Sequence, residues 1–152
     1  MILEIKGEGE MQAFGVKLGA FLRGGEIIEL VGDVGAGKTA LTKGIAVGLG
    51  IHEDVQSPSF TISRVYETPR HLYLAHYDFY RLHDPGIMAD ELREAVGDQQ
   101  NITVVEWADI VKGVLPADRL SIHITPTAEH DRRLEITAGG AISQELLRKL
   151  EK

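Results

Sequence analysis

Met11, Phe14, Leu18 and Phe21 recur at three- and four-residue spacing, a periodicity that predicts an amphipathic helix closed by Gly24-Gly25. Core packing accounts for such a stripe without any ligand role. Ahead of it, Ile2-Leu3-Glu4-Ile5 is a short strand candidate. Behind it, Ile27-Ile28-Glu29-Leu30-Val31 is rich in β-branched residues and bounded by glycines, which predicts a largely buried strand. A glycine-rich stretch follows, and from Thr39 to Leu49 the residues Leu41, Ile45 and Leu49 share one helical face before Gly50 ends the pattern.

Thr61 to Tyr66 and Leu72 to Asp78 read as strands on either side of the turn signal Thr68-Pro69-Arg70, an antiparallel hairpin. Asp84-Pro85 opens a helix through about Val96, with Asp84 as N-cap and Pro85 at the first helical position. Ile102 to Val105 is a second buried strand ending in Glu106-Trp107. Leu120 to Ile124 and Leu134 to Thr137 alternate as half-exposed strands, and Ser143 caps a final helix bearing Leu146, Leu147 and Leu150. The mixture predicts an α/β sandwich with a parallel centre and antiparallel additions. With no repeat, linker or low-complexity stretch, residues 1–152 are expected to form a single domain.

Composition narrows the chemistry. Sixteen Lys and Arg against twenty-three Asp and Glu give a formal charge of -7, which repels a phosphodiester backbone unless basic residues cluster, so a freestanding nucleic-acid binder is disfavoured. The chain has no cysteine, which excludes disulfides, thiolate metal sites and a cysteine nucleophile. Its first twenty residues carry acids and glycines where a secretory signal needs a basic start and an apolar core. The apolar runs fall far short of the roughly 20 residues a membrane helix needs, so cytoplasmic residence without a membrane partner is the expectation.

Gly32-Asp33-Val34-Gly35-Ala36-Gly37-Lys38-Thr39 fits the phosphate-loop pattern G-x-x-x-x-G-K-[ST] at every defined position, between a buried strand and an amphipathic helix. Glycines let the backbone N–H groups of Val34, Gly35, Ala36, Gly37, Lys38 and Thr39 converge on phosphate oxygens. Lys38 is placed to reach the β- and γ-phosphates, and the Thr39 hydroxyl to ligate Mg²⁺. The fold class becomes α/β, a three-layer P-loop NTPase-like sandwich. Asn101 is the only asparagine and no lysine follows it, and no Asp has Gly three residues later, so guanine-reading N-K-x-D and D-x-x-G elements are absent. ATP is favoured over GTP.

Asp78 and Glu106 close strand candidates, where open α/β sheets place their ligands, and either could complete a Mg²⁺ shell. Glu106 follows a β-branched run, as a Walker-B-type acid does. His76 and Asp78, two apart on a strand, share a face and could form a His–carboxylate pair. Arg64 and Arg81 are the internal arginines best placed to reach a phosphate, without either being marked as an arginine finger.

The phosphate loop, Ser57-Pro58-Ser59-Phe60, His76-Tyr77-Asp78-Phe79-Tyr80-Arg81-Leu82 and Val105-Glu106-Trp107, in this order and spacing, resemble the TsaE (YjeE) family, bacterial ATPases of tRNA threonylcarbamoyladenosine (t6A) synthesis. The resemblance runs nearly end to end. It implies an ATP- and Mg²⁺-dependent partner of TsaD and TsaB, the pair that transfers threonylcarbamoyl to adenosine 37, with tRNA met only through that complex. It implies that Lys38 binds phosphate, that Thr39 and Glu106 hold Mg²⁺, and that Asp78 acts near the γ-phosphate. Residues 57–60 would form a switch-like loop and Trp107 would pack beside the site. The pocket would also use Glu8, Asp109 and Arg132, with Arg133 an equal alternative to Arg132. Ser59, Ala40, Val34 and Met11 depart from the residues usual in the family.

Three functions fit these residues: a weak, partner-activated ATPase; a small-molecule phosphotransferase with Asp78 as base; and a nucleotide-gated binding module with incidental turnover.

Overall fold

The computed structural model describes residues 1–58 and 61–152. The chain runs β1 (Ile2–Lys6), α1 (Gly7–Phe21), β2 (Ile27–Val31), α2 (Lys38–Gly48), β3 (Ser63–Glu67), β4 (Tyr73–Asp78), α3 (Gly86–Gly97), β5 (Asn101–Glu106), a 3₁₀ turn (Ala108–Val111), β6 (Leu120–Pro126), β7 (Asp131–Ala138) and α4 (Ala141–Glu151). The seven strands of the described residues form one sheet in the order β1-β7-β6-β2-β5-β4-β3. β6, β2, β5 and β4 run parallel. β3 joins β4 antiparallel, and β7 and β1 extend the other edge antiparallel. The fold is therefore the expected α/β sandwich with a parallel centre and antiparallel additions.

Strand alternation sorts the core into two layers. Ile28, Leu30, Leu74, Ile102 and Val104 face α1, α2 and α4, and join Leu18, Leu41, Ile45 and Leu146. Ile27, Ala75, Tyr77 and Val105 face the other way, onto Leu92 and Ala95 of α3 and Val111 of the 3₁₀ turn. Because β2, β5 and β4 are parallel neighbours, their C-terminal ends lie side by side. Leu30 is opposite Glu106, and Glu106 opposite Asp78. The loop leaving β2 is the glycine-rich segment, so sheet topology brings phosphate loop and acids together.

The apolar stripe of α1 packs as expected, but it meets α2 through glycines. A Cβ on Gly15 or Gly44 would collide with the backbone of the facing helix, and Gly19 and Gly48 repeat the arrangement one turn on. Side-chain-free crossing lets the two backbones touch and couples the second half of α1 to the helix that follows the phosphate loop.

Two caps differ from the local pattern. α3 begins at Gly86 with Pro85 as N-cap, because the Asp84 carboxylate accepts the Gly86 N–H (3.0 Å) from one residue further out. α4 begins at Ala141, ahead of Ser143, and its free N–H groups are taken by Asp118 from the loop before β6 (Ile142 N, 3.0 Å; Ser143 N, 2.9 Å). A cap borrowed from 25 residues away carries no local sequence signal.

Candidate nucleotide-binding site

Gly37 sits at φ 113°, a left-handed conformation open to glycine, as the N-cap of α2. It turns the loop sharply into the helix, with Ala36 N–H donating to Asp33 O (3.0 Å) inside the turn. Val34, Gly35 and Thr39 are exposed on this loop while Ala36 is buried beneath it. An exposed loop feeding a helix N-terminus has the backbone geometry that favours an anion.

Lys38 is 6% exposed, and its ammonium donates to Gly32 O at 2.7 Å. Glu106 Oε1 lies 3.9 Å away and the Trp107 ring centroid 4.1 Å away. Burial pushes the Lys38 pKa below its usual value, against the opposing charges of Glu106, Asp78 and Asp33. An ammonium has three donors, and one hydrogen bond engages only one of them. Trp107 holds its position in a left-handed backbone conformation (φ 56°, ψ 51°), uncommon for a non-glycine residue, and its ring also meets Tyr80, with centroids 4.8 Å apart.

Asp78 is buried at the end of β4; its Oδ1 accepts the Tyr80 N–H (3.0 Å), and Ser57 Oγ donates to its Oδ2 (3.4 Å). Thus Ser57, at the start of the expected switch-like loop, reaches the acid expected near the γ-phosphate; Ser59 and Phe60 lie outside the described residues. His76 shares a face with Asp78, as strand parity requires, but its Nε2 lies 2.6 Å from Glu106 Oε2. Asp78 is directly opposite Glu106 across β4–β5, so the imidazole one dipeptide back reaches the glutamate diagonally. The His–carboxylate pair exists, with Glu106 as its acid.

On the other side of the loop, Glu8, Met11, Gly35, Gly37 and Arg132 line a cavity of about 160 Å³. Arg132 donates from Nε to Ala36 O (3.0 Å) and from a terminal nitrogen to Gly35 O (3.3 Å), strapping β7 to the phosphate loop. Arg133 points elsewhere, donating to Glu4 (2.7 Å), which raises its already high pKa; of the two arginines it is Arg132 that lines this cavity. Asp109 does not join Glu8 and Arg132. It is exposed in the 3₁₀ turn, 3.7 Å from Lys112, and lines a different cavity of about 150 Å³ with Gly32, Asp33 and Trp107. Arg64 is exposed on β3, in register with His76.

A family model described as threonylcarbamoyl adenosine biosynthesis protein TsaE matches residues 5–134, which span every site residue named above. The chain belongs to the TsaE family. A tRNA threonylcarbamoyladenosine biosynthesis protein TsaE of Bacillus subtilis (strain 168) is 39% identical over 133 residues, covering 86% of this chain and 81% of that protein. A protein of the same name from Streptomyces coelicolor is 36% identical over 138 residues, covering 86% and 91%. Among solved structures, the crystal structure of Bacillus subtilis YdiB superposes with a TM-score of 0.82 at 34% identity, over 99% of this chain and 93% of that one.

For this TsaE family member, sequence reading missed Lys43, half-buried and lining a cavity of about 250 Å³ with Lys38 and Thr39. Its spacing of four from Thr39 on a helix was the available signal. It also missed the glycine crossing of α1 and α2, although Gly15/Gly19 and Gly44/Gly48 each carry the small-x-x-x-small spacing.

Proposed function

We propose that this protein is the Mg²⁺-dependent ATP-binding, weakly hydrolysing subunit required for t6A formation at tRNA adenosine 37, cycling with the TsaD–TsaB pair in the cytoplasm. The observation that carries the ATP-dependent reading is the pairing of a buried Lys38 having donors to spare with a buried Glu106 whose Oε1 faces it at 3.9 Å, beneath an exposed phosphate loop. Two opposite charges that face one another without closing leave space for a ligand carrying both phosphate oxygens and a cation. Family membership supports the tRNA-modification role, since relatives bear that name.

The donor set fits Mg²⁺: a threonine hydroxyl and a carboxylate oxygen are hard ligands, and no three acidic or imidazole side chains among the described residues converge as a metal site of their own. The remaining ligands would be phosphate and water oxygens. Mg²⁺, when bound by Thr39 and Glu106, supplies charge neutralisation between the phosphates.

In this reading Lys38 releases the Gly32 carbonyl to bind phosphate, and the loop N–H groups hold the phosphate chain. Asp78, kept in place by the Tyr80 N–H, orients the group that attacks the γ-phosphate, with Ser57 reporting its occupancy. Glu8 and Arg132 bound the nucleoside side. Arg132 is committed to the carbonyls of the loop. With Arg132 so engaged, an arginine supplied in trans would add roughly 10³- to 10⁵-fold to turnover, as in enzymes of this chemistry. A net charge of -7 fits contact with tRNA through partners.

Phosphate release from Mg-ATP, measured on the protein alone and with bacterial TsaD–TsaB, tests the reading. Strong stimulation lost in Lys38→Ala is expected. Transfer of phosphate to an acceptor with little free phosphate would instead favour a phosphotransferase, and full support of t6A formation over many turnovers by a non-hydrolysable ATP analogue would favour a binding module.

A further inference from the structure

His76 takes no part in the function just proposed, yet it is 1% exposed and makes one of the shortest polar contacts in the protein, Nε2 to Glu106 Oε2 at 2.6 Å. A carboxylate accepts, so the hydrogen of this contact sits on Nε2. Among the described residues the other ring nitrogen, Nδ1, is buried with no hydrogen-bond partner. A buried polar atom left unpaired costs stability, and a leucine would fill the same place without that cost. Packing therefore does not explain an imidazole here. The carboxylate it touches does.

We infer that His76 is a positioning residue that anchors Oε2 of Glu106 and so presents Oε1 to the space between Lys38 and the phosphate loop. The inference rests on the Mg-ATP reading above. Glu106 ends a strand whose last five residues are buried, and its Oε1 lies 3.9 Å from the Lys38 ammonium, beyond hydrogen-bond distance. With Oε2 held from β4, the side chain cannot swing to close a direct bond with the ammonium, and the two charges stay apart across the site. The register permits this from position 76: β4 and β5 are parallel with Asp78 opposite Glu106, so a side chain two residues back on the same face reaches Oε2 diagonally, while Oε1 is the oxygen nearer Lys38. Outer partners that fix a ligating carboxylate commonly change metal affinity by about 10- to 100-fold when removed.

The test is the affinity of Mn²⁺, read by electron paramagnetic resonance, for the protein saturated with a non-hydrolysable ATP analogue, beside the affinity of the metal-free analogue. His76→Leu is expected to weaken Mn²⁺ binding by about tenfold or more, while metal-free analogue binding stays within about threefold. His76→Gln, whose amide N–H can stand where Nε2–H stood, is expected to restore Mn²⁺ binding to within about threefold of the natural protein. If the leucine variant does not fold, Gln against the shorter Asn replaces it, with Asn expected to lose the metal and Gln to keep it. Unchanged Mn²⁺ affinity in His76→Leu, or a Gln variant as impaired as its partner in the comparison, would overturn the inference. Absence of Mn²⁺-dependent analogue binding in the natural protein itself would instead overturn the Mg-ATP reading, and the inference with it.

Discussion

Glu29 and Glu106 are both buried glutamates on adjacent central strands, 7% and 3% exposed, but they serve opposite ends. Glu29 Oε1 accepts from Arg119 Nε and from Ser121 Oγ, each at 3.0 Å, and Arg119 spends another donor on Pro116 O (2.9 Å). Its charge is closed by a cation at hydrogen-bond distance. Glu106 is held on one oxygen by His76 and stands 3.9 Å from its cation with the other. A buried carboxylate that completes its partners within the fold ties strands together; one held short of its cation is where a ligand completes the charge balance. Strand parity separates the two, since Glu29 points toward the α3 layer with Val105 and Glu106 toward α2 with Val104.

The contrast breaks most visibly at the open pair. Lys38→Ala should lower partner-supported ATP turnover by on the order of 10²-fold or more, as loss of a preorganised charge at a transferring phosphoryl group does. Glu106→Gln, similar in shape, should lose a comparable factor while its thermal midpoint stays within about 3 °C, less than roughly 1.5 kcal/mol for a chain of this size. A Glu106→Gln variant that unfolds early but turns over normally would reverse the assignment of the two glutamates.

The closed pair should respond the other way. Glu29→Ala leaves Arg119 without its carboxylate and should destabilise by about 2 kcal/mol, below the usual loss for a broken buried pair because Arg119 is partly exposed. A thermal melt should fall by about 4–8 °C, with nucleotide affinity of the folded protein unchanged within about twofold.

A smaller effect lies on the α3 face. Burial, followed by the charge of Glu91, which accepts the phenol hydrogen bond at 3.5 Å, pushes Tyr77 up to about 12. The native state keeps this proton while the unfolded chain loses it near pH 10, so the stabilisation is complete below pH 10 and disappears as pH rises toward 12. Denaturant titrations across that window should show stability falling more steeply with pH in the natural protein than in Tyr77→Phe; equal slopes would refute it.

The smallest signal is optical. Trp107 is the only tryptophan and lies over Lys38. Nucleotide that draws the ammonium away should change its emission, and Lys38→Ala should abolish the response.

What the sequence determined by itself is what is contiguous along the chain. Strand, phosphate loop and helix from Ile27 to Gly48 follow one another, so periodicity and glycine placement were enough to specify them. The strand-end positions of Asp78 and Glu106 were legible because each closes a strand candidate, and strand ends are where parallel sheets bring side chains together. Tertiary structure alone decided everything that depends on which strands are neighbours. His76 meets Glu106 across 30 residues, Arg119 meets Glu29 across 90, and Arg132 rather than Arg133 turns to the phosphate loop across 96. It also moved Asp109 away from Glu8 and Arg132, into another cavity. Alternation along a strand shows which residues share a face, but strand order and register decide whom that face meets, and those are set by the packing of the whole sheet.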